Sequence, residues 1–145
     1  MILDLHTHSI ASDDGRAKVV NYCQWIQKKS LPIDGFVLTE HRQFDDANDY
    51  RALEDQFGIL ILKASEVETE YGHVLVFGVN EDLKASFDFA DIRNPLAMVI
   101  EEAKRCGAVA VPCHPGRPKV GMCAHWATKG AVDGVEIVET LHAGS

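Results

Sequence analysis

Chemically reactive side chains follow most of the short apolar segments of this 145-residue chain. Apolar runs at residues 2–5, 35–39, 58–63, 74–79, 108–113 and 135–138 predict strands, and helical patterns at residues 16–29, 45–57 and 95–105 predict helices. Strands that alternate with helices are typical of parallel β units joined by crossover helices. The sequence therefore predicts an α/β fold, either a βα barrel or an open sheet.

Histidines and carboxylates occur where these predicted strands begin or end. In a βα barrel, the carboxyl ends of the strands carry the active site. The candidate residues come from five chain segments: His6 with His8 and Asp13; Glu40 with His41; Glu66; His73; and His114. His6 and His8 are two residues apart on a strand, so their imidazoles face the same side. We therefore expect these side chains to meet in one place.

The mixture of imidazole and carboxylate donors indicates divalent metal ions. Such donors suit Zn, Mn or Fe, whereas Ca²⁺ prefers oxygen donors alone. The candidates are too many for one tetrahedral ion and fit two or three ions. Glu66 is the natural bridge between two ions, because a carboxylate has two oxygens. Ions about 3.5–4 Å apart form a clamp for phosphoryl displacement by a hydroxide made from bound water.

Four segments resemble the motifs of the polymerase and histidinol phosphatase (PHP) superfamily. DLHTHSIASDDG resembles its first motif, LTEHR its second, ASEVE followed by GHVLVFG its third, and PCHPGR its fourth. The resemblance covers nearly the whole chain. It implies a distorted βα barrel, seven-stranded in the family, with a trinuclear metal site that hydrolyses phosphate mono- or diesters.

The resemblance also implies a role for each matching residue. His6 and His8 would bind one ion; Asp13, His41 and His114 would help to hold the others; Glu66 would bridge two ions; and His73 matches a histidine of the smaller members. We assign catalytic roles to Glu66 and Arg117. Arg42 and Arg117 are predicted to bind the substrate, because guanidinium groups bind phosphate in a bidentate manner.

The chain departs from the family pattern at two places. Glu40 and Arg42 stand where aspartates are usual in the second motif, and Glu40 is left out of the predicted ligand set. The last family motif, an Asp-x-His pair, has no match before Ser145, so we expect a C-terminally incomplete barrel. Such a barrel would expose an edge strand, which a second copy of the chain could cover.

Three further residues are interpreted without a primary role in the site. Cys113 and His114 are adjacent on a predicted strand, so their side chains would face opposite ways and Cys113 would belong to the core. His125 is interpreted as packed or exposed. His142 is interpreted as solvated, with a role as a substitute ligand left open.

Charge and composition limit the partners. The net charge of −8 disfavours a broad nucleic-acid surface, because such binding neutralises phosphates with basic residues. No apolar run approaches the roughly 18 residues of a membrane span, and the N-terminus lacks the pattern of a secretory signal. The four cysteines form no C-x-x-C pair. We therefore expect a reduced, cytoplasmic protein with a single domain over residues 1–145.

The sequence thus predicts a hydrolase that cleaves small phosphate esters, such as a nucleotide or sugar phosphate, by metal-bound hydroxide. Histidinol phosphatase activity is one alternative. A degenerate metal-binding module without catalysis is another, because the last motif is missing. An amidohydrolase, which also opens with H-x-H on a first barrel strand, is disfavoured because no lysine matches its metal-bridging lysine.

Overall fold

A five-stranded mixed sheet forms the centre of residues 1–125, the part of the chain that the computed structural model describes. The strands are β1 (Leu3–Thr7), β2 (Gly35–His41), β3 (Leu60–Thr69), β4 (Gly72–Phe77) and β5 (Val109–Pro112). The helices are α1 (Val19–Lys29), α2 (Arg51–Phe57), α3 (Glu81–Ser86) and α4 (Leu96–Arg105), followed by a 3₁₀ helix (Met122–His125). The strands lie in chain order, and the sheet curls into a half-barrel.

Strands β1, β2 and β3 are parallel, as the alternation of strands and helices predicts. The prediction is wrong for β4, which runs antiparallel to both β3 and β5. Only Glu70 and Tyr71 separate β3 from β4, whereas a parallel connection needs about a dozen residues or more. Because β4 is reversed, β5 again runs in the direction of β1.

Within residues 1–125, the helices cover one face of the sheet. Side chains alternate between the two faces of a strand, so Phe36 and Leu38 of β2 share the face that packs against α1. There they form an apolar cluster with Cys23 and Ile26 of α1 and with Ile61 of β3. Within residues 1–125, no helix has the length and apolar character needed to cross a membrane.

A second apolar cluster lies where α3 and α4 pack on β4. Val74 and Val76 of β4 are fully buried together with Leu83 of α3 and Val99 of α4. Val67 of β3 belongs to the same cluster. Since neighbouring residues of a strand point to opposite faces, the packing of Val67 on the helices turns Glu66 toward the face that the helices leave open.

Two helices are shorter than the sequence patterns predict. α1 begins at Val19 rather than residue 16, and the helix predicted over residues 45–57 is reduced to α2. Asp45 accepts hydrogen bonds from the backbone N–H groups of Ala47 and Asn48 at 3.1 and 3.0 Å. Because such local bonds compete with helical hydrogen bonding, residues 45–50 form a loop.

Other boundaries also differ. The strand predicted over residues 58–63 is longer and continues through Glu66 to Thr69 as β3. The sequence patterns do not predict α3, which begins after Asn80, whose side chain accepts a hydrogen bond from the Leu83 N–H at 2.9 Å. The strand predicted over residues 135–138 lies outside the described residues.

The reversal of β4 brings its first residues to the edge of the sheet where the parallel strands end. His41, the last residue of β2, pairs with Glu66 of β3. His73, near the start of β4, pairs with Glu68 of β3. His114 follows shortly after the end of β5. The antiparallel strand therefore delivers His73 to the same edge as the other candidate residues.

Candidate metal centre

Glu66 lies at the centre of this edge, and its side chain is fully buried. Its Oε2 atom lies 2.8 Å from His6 Nε2 and 3.0 Å from His8 Nε2. The same oxygen lies 3.5 Å from His41 Nδ1. The end of β1 and the end of β2 thus meet β3 at one oxygen atom.

The second oxygen of Glu66 faces two other histidines. Oε1 lies 2.8 Å from His73 Nδ1 and 2.9 Å from His114 Nε2. We call the six residues around this carboxylate the Glu66 cluster: His6, His8, His41, Glu66, His73 and His114. The cluster brings together all of the predicted metal ligands except Asp13.

The charge of Glu66 is set by these neighbours. Burial alone would raise the pKa of Glu66, but hydrogen bonds from His114, His6 and two further histidines hold that pKa well below its ordinary value. His8 shows the reciprocal effect, because burial lowers its pKa while the hydrogen bond to Glu66 and the Glu66 charge raise the pKa above the ordinary value. The carboxylate is therefore ionised, which is the form that binds a cation.

The donor atoms fall into three overlapping groups, and within each group they lie within 4.8 Å of one another. The groups are His6 with Glu66, Cys113 and His114; His8 with Asp14 and His41; and His41 with Glu66 and His73. Glu66 and His41 each belong to two groups. Of these two residues, Glu66 has two oxygens and can therefore be shared by two neighbouring ions, whereas a neutral imidazole offers one acceptor nitrogen.

The chemistry of these donors fits divalent metal ions. Imidazole nitrogen suits Zn and Fe, carboxylate oxygen suits Mn, and cysteine sulfur is a soft donor that Zn accepts. Nδ1 of His8 is buried and has no hydrogen-bond partner among residues 1–125. Since buried polar atoms are nearly always partnered, this nitrogen is a further sign that the site binds a group from outside the chain.

The structure brings Asp14, rather than the predicted Asp13, to the donor groups. Asp14 Oδ2 lies 3.0 Å from His41 Nε2. The Asp13 side chain is 68% exposed and pairs with Arg42 Nη2 at 2.7 Å, which lowers the pKa of Asp13. The two aspartates are adjacent in one turn, so their side chains diverge. The sequence S-D-D-G contains both candidates but does not indicate which one faces the histidines.

Glu40 holds this turn in place. Its buried carboxylate accepts a hydrogen bond from the Ser9 N–H at 2.8 Å and one from the Ser12 hydroxyl at 2.6 Å. The Ser12 hydroxyl in turn accepts a bond from the His41 N–H at 2.9 Å. Glu40 belongs to none of the donor groups found in residues 1–125. It therefore acts by positioning the loop that carries Asp14.

Cys113 departs from the predicted orientation. It is fully buried, as expected of a core residue, yet its Sγ lies 3.3 Å from Glu66 Oε1 and 3.4 Å from His114 Nε2. The alternation argument fails because β5 ends at Pro112 and His114 has a positive φ of 35°. Burial raises the pKa of the Cys113 thiol, and the Glu66 charge raises that pKa further.

A pocket of about 400 Å³ opens beside the Glu66 cluster. Both predicted arginines line this pocket, as do Glu68 and Lys119. Arg42 is already paired with Asp13 and, at 2.6 Å, with Glu68. Within residues 1–125, no carboxylate lies within ion-pair distance of Arg117 or Lys119, so their charges are available to an anion.

Glu68 is a pocket residue that the sequence analysis missed. Its Oε1 lies 2.6 Å from Arg42 Nη1 and 3.8 Å from His73 Nε2. The two-residue spacing of Glu66 and Glu68 in the sequence could have indicated it, because residues two apart on a strand lie on the same face. The side chain of His125 and the whole of His142 lie outside the described residues.

No family model matches the chain. An uncharacterised protein of Methanocaldococcus jannaschii is 23% identical to it over an alignment of 150 positions, which spans 98% of this chain and 84% of that protein. This similarity extends along the sequence, but because that protein is uncharacterised it assigns no activity to this chain.

Solved structures with a similar fold include three bacterial proteins. A two-domain protein from Bacteroides vulgatus, which contains a predicted PHP-like metal-dependent phosphoesterase, matches with a TM-score of 0.56 and 23% identity over 85% of this chain and 40% of that one. A predicted metal-dependent phosphoesterase from Bifidobacterium adolescentis matches with a TM-score of 0.59 and 14% identity over 81% of this chain and 68% of that one.

The third structure is PsfC from Pseudomonas syringae, with a TM-score of 0.57 and 18% identity over 82% of this chain and 57% of that one. The chain thus spans less than two thirds of the length of the Bacteroides and Pseudomonas proteins. These similarities confirm, for the fold, the resemblance that the sequence motifs predicted: the chain has the fold of PHP-like metal-dependent phosphoesterases.

Proposed function

We propose that this chain is a metal-dependent phosphoesterase that hydrolyses small phosphate esters. The observation that carries the proposal is the Glu66 cluster, in which a buried, ionised carboxylate is surrounded by five imidazoles beside an open pocket. The fold supports the same activity. Closure of the half-barrel into the seven-stranded barrel of the PHP family is also part of the proposal.

Two or three divalent ions would be held by the three donor groups. When bound, such ions lower the pKa of a coordinated water and neutralise phosphate oxygens. Glu66 would serve two neighbouring ions through its two oxygens, whereas His41, whose neutral imidazole has one acceptor nitrogen, would serve one ion of the two groups to which it belongs. Asp14 takes the place that the sequence analysis gave to Asp13. Glu40 keeps the Asp14 turn in position through Ser9 and Ser12.

The pocket favours a compact anionic substrate. Its volume of about 400 Å³ admits a small molecule. Arg117 and Lys119 place two cationic side chains on its wall. The chain as a whole carries a net charge of −8, which disfavours a long polyanion. A phosphate monoester, or a short diester, therefore fits the charge and the size of the pocket.

Hydrolysis by the metal-loaded chain tests this proposal. The purified protein would be stripped with a chelator, reloaded separately with Zn²⁺, Mn²⁺ or Fe²⁺, and assayed with nitrophenyl phosphate, bis-nitrophenyl phosphate, nucleotides, sugar phosphates and histidinol phosphate. We expect phosphate release that depends on metal and is lost again with chelator. Turnover of histidinol phosphate alone would identify a histidinol phosphatase. Metal binding without turnover of any ester would contradict the proposal and favour a non-catalytic module.

Arg117 is expected to contact the phosphate group. The Arg117→Met variant should raise KM by roughly 10-fold or more, because a hydrogen bond to a charged group contributes about 1.5–3 kcal/mol. Metal content should not change, since Arg117 belongs to none of the donor groups within residues 1–125. Steady-state kinetics and elemental analysis would measure both quantities.

Arg93→Met provides the matched control, because Arg93 is exposed and does not line the pocket. Its KM should equal that of the unmodified protein. Equal KM values for the Arg117 and Arg93 variants would remove Arg117 from the substrate site.

A further inference from the structure

The thiol of Cys113 lies inside one of the donor groups rather than in the apolar core. We call His6, Glu66, Cys113 and His114 the cysteine group. Its four donor atoms lie within 4.8 Å of one another. The side chains of His6 and His114 are only 6% and 8% exposed, and Cys113 and Glu66 are fully buried. The group is therefore the most enclosed of the three.

Cys23 shows what a structural cysteine of this chain looks like. It is as deeply buried as Cys113, but it belongs to the apolar cluster of α1 with Ile26 and Phe36. Cys113 belongs to neither apolar cluster of residues 1–125. Its sulfur faces a carboxylate oxygen and an imidazole nitrogen instead. The surroundings of this thiol are therefore those of a donor group rather than of the apolar core.

The distances from the Cys113 sulfur to two other donors are those of a tetrahedral metal site. Zinc lies about 2.0–2.3 Å from nitrogen, oxygen and sulfur ligands, which puts neighbouring donors roughly 3.3–3.8 Å apart. Cys113 Sγ lies 3.3 Å from Glu66 Oε1 and 3.4 Å from His114 Nε2. His114 Nε2 and Glu66 Oε1 are closer, at 2.9 Å. Small movements of side chains would admit an ion among these atoms.

We propose that Cys113 is a thiolate ligand of the ion held by His6, Glu66 and His114, and that it makes this position selective for Zn²⁺ over Mn²⁺ and Mg²⁺. The proposal rests on the metal binding in the proposed function and adds a ligand to it. Two nitrogens, one oxygen and one sulfur complete the four donors of a zinc site. Thiolate is a soft ligand that Mn²⁺ and Mg²⁺ accept poorly. Binding converts the thiol to a zinc thiolate and releases one proton to solvent for each site filled.

Cobalt titration of the full chain tests the thiolate bond directly. Co²⁺ replaces Zn²⁺ in such sites, and a bond between Co²⁺ and thiolate gives a charge-transfer band in the near ultraviolet. We expect the chelator-stripped protein to develop this band in proportion to added Co²⁺. Cys113→Ser should lose the band, and its Zn²⁺ affinity should fall at least about 10-fold, while its Mn²⁺ affinity changes little.

Two controls accompany the titration. Cys123→Ser removes an exposed thiol and should leave the band unchanged. Cys23→Ser removes a buried thiol that is outside the donor groups, and it should also retain the band. Circular dichroism would establish that each variant is folded. If a variant does not fold, X-ray absorption of the zinc-loaded, unmodified protein takes the place of its titration. We then expect a sulfur atom at about 2.3 Å from the zinc ion.

The outcomes separate this proposal from the proposed function. Visible Co²⁺ absorption without the charge-transfer band, or a band that survives in Cys113→Ser, would overturn the thiolate ligand while leaving the metal site intact. X-ray absorption that shows no sulfur atom bound to zinc would also overturn the thiolate ligand. Failure of the unmodified chain to bind Co²⁺ or Zn²⁺ at all would overturn both proposals.

Discussion

Replacing Glu66 with glutamine is expected to abolish the metal centre. Glu66 belongs to two of the three donor groups, and its carboxylate lies within 3.5 Å of a nitrogen of each of the five imidazoles. The Glu66→Gln side chain has nearly the same shape but no negative charge to offset that of the ions. We expect metal content to fall below about one equivalent and phosphoesterase activity to fall at least about 100-fold. Substitution of a residue that only hydrogen-bonds to a metal ligand already lowers metal affinity or activity about 10–100-fold.

Elemental analysis and initial-rate measurements would test this expectation. Glu70→Gln is the matched control, because it makes the same chemical change on the exposed turn between β3 and β4. That variant should keep its full metal content and activity. Retention of two or more metal equivalents by the Glu66 variant would mean that the donor groups do not share this carboxylate.

Removing the metal ions is expected to lower the melting temperature by about 10 °C. The donors come from β1, β2, β3 and β4, and from the segments that follow β1 and β5. They are therefore brought together only in the folded state. An ion that binds only the folded state contributes about 4 kcal/mol when its concentration is a thousand times the Kd. For a chain of this size, each kcal/mol corresponds to roughly 2–4 °C.

Calorimetry of the zinc-loaded and chelator-treated protein would measure the difference. Ca²⁺ should have a much smaller effect than Zn²⁺, because calcium prefers sites made of oxygen donors alone. The Glu66→Gln variant should respond little to Zn²⁺. Identical melting temperatures with and without zinc would show that the donor groups do not bind the ion in the folded state.

Much of the candidate site could be predicted from the sequence because its residues occur at strand ends. His6, His41 and His114 follow apolar runs, and the carboxyl ends of parallel strands lie at one edge of a sheet. Glu66 and Val67 lie beyond the predicted strand, and only the observed extension of β3 to Thr69 places them on opposite faces. The structure brings these histidines around Glu66 as the sequence analysis expected, although their role as ligands stays a prediction.

The direction of β4 was wrong in the sequence analysis, although local information was available. The chain between Thr69 and Gly72 is too short for a parallel crossover. His73 nevertheless lies at the expected edge, because reversing a strand exchanges its two ends. The predicted direction of β4 was therefore wrong, but the predicted location of His73 beside the other histidines was correct.

The sequence by itself determined which residue types gather at this edge, since strand periodicity and strand ends are local properties of the chain. Tertiary structure alone decided which neighbours point into the site. Asp14 rather than Asp13 meets His41 because Glu40, distant in sequence, holds the turn and Arg42 draws Asp13 outward. Cys113 turns toward Glu66 because the backbone leaves the strand geometry at His114. Side-chain direction in turns depends on long-range hydrogen bonds and backbone angles, which no local pattern encodes.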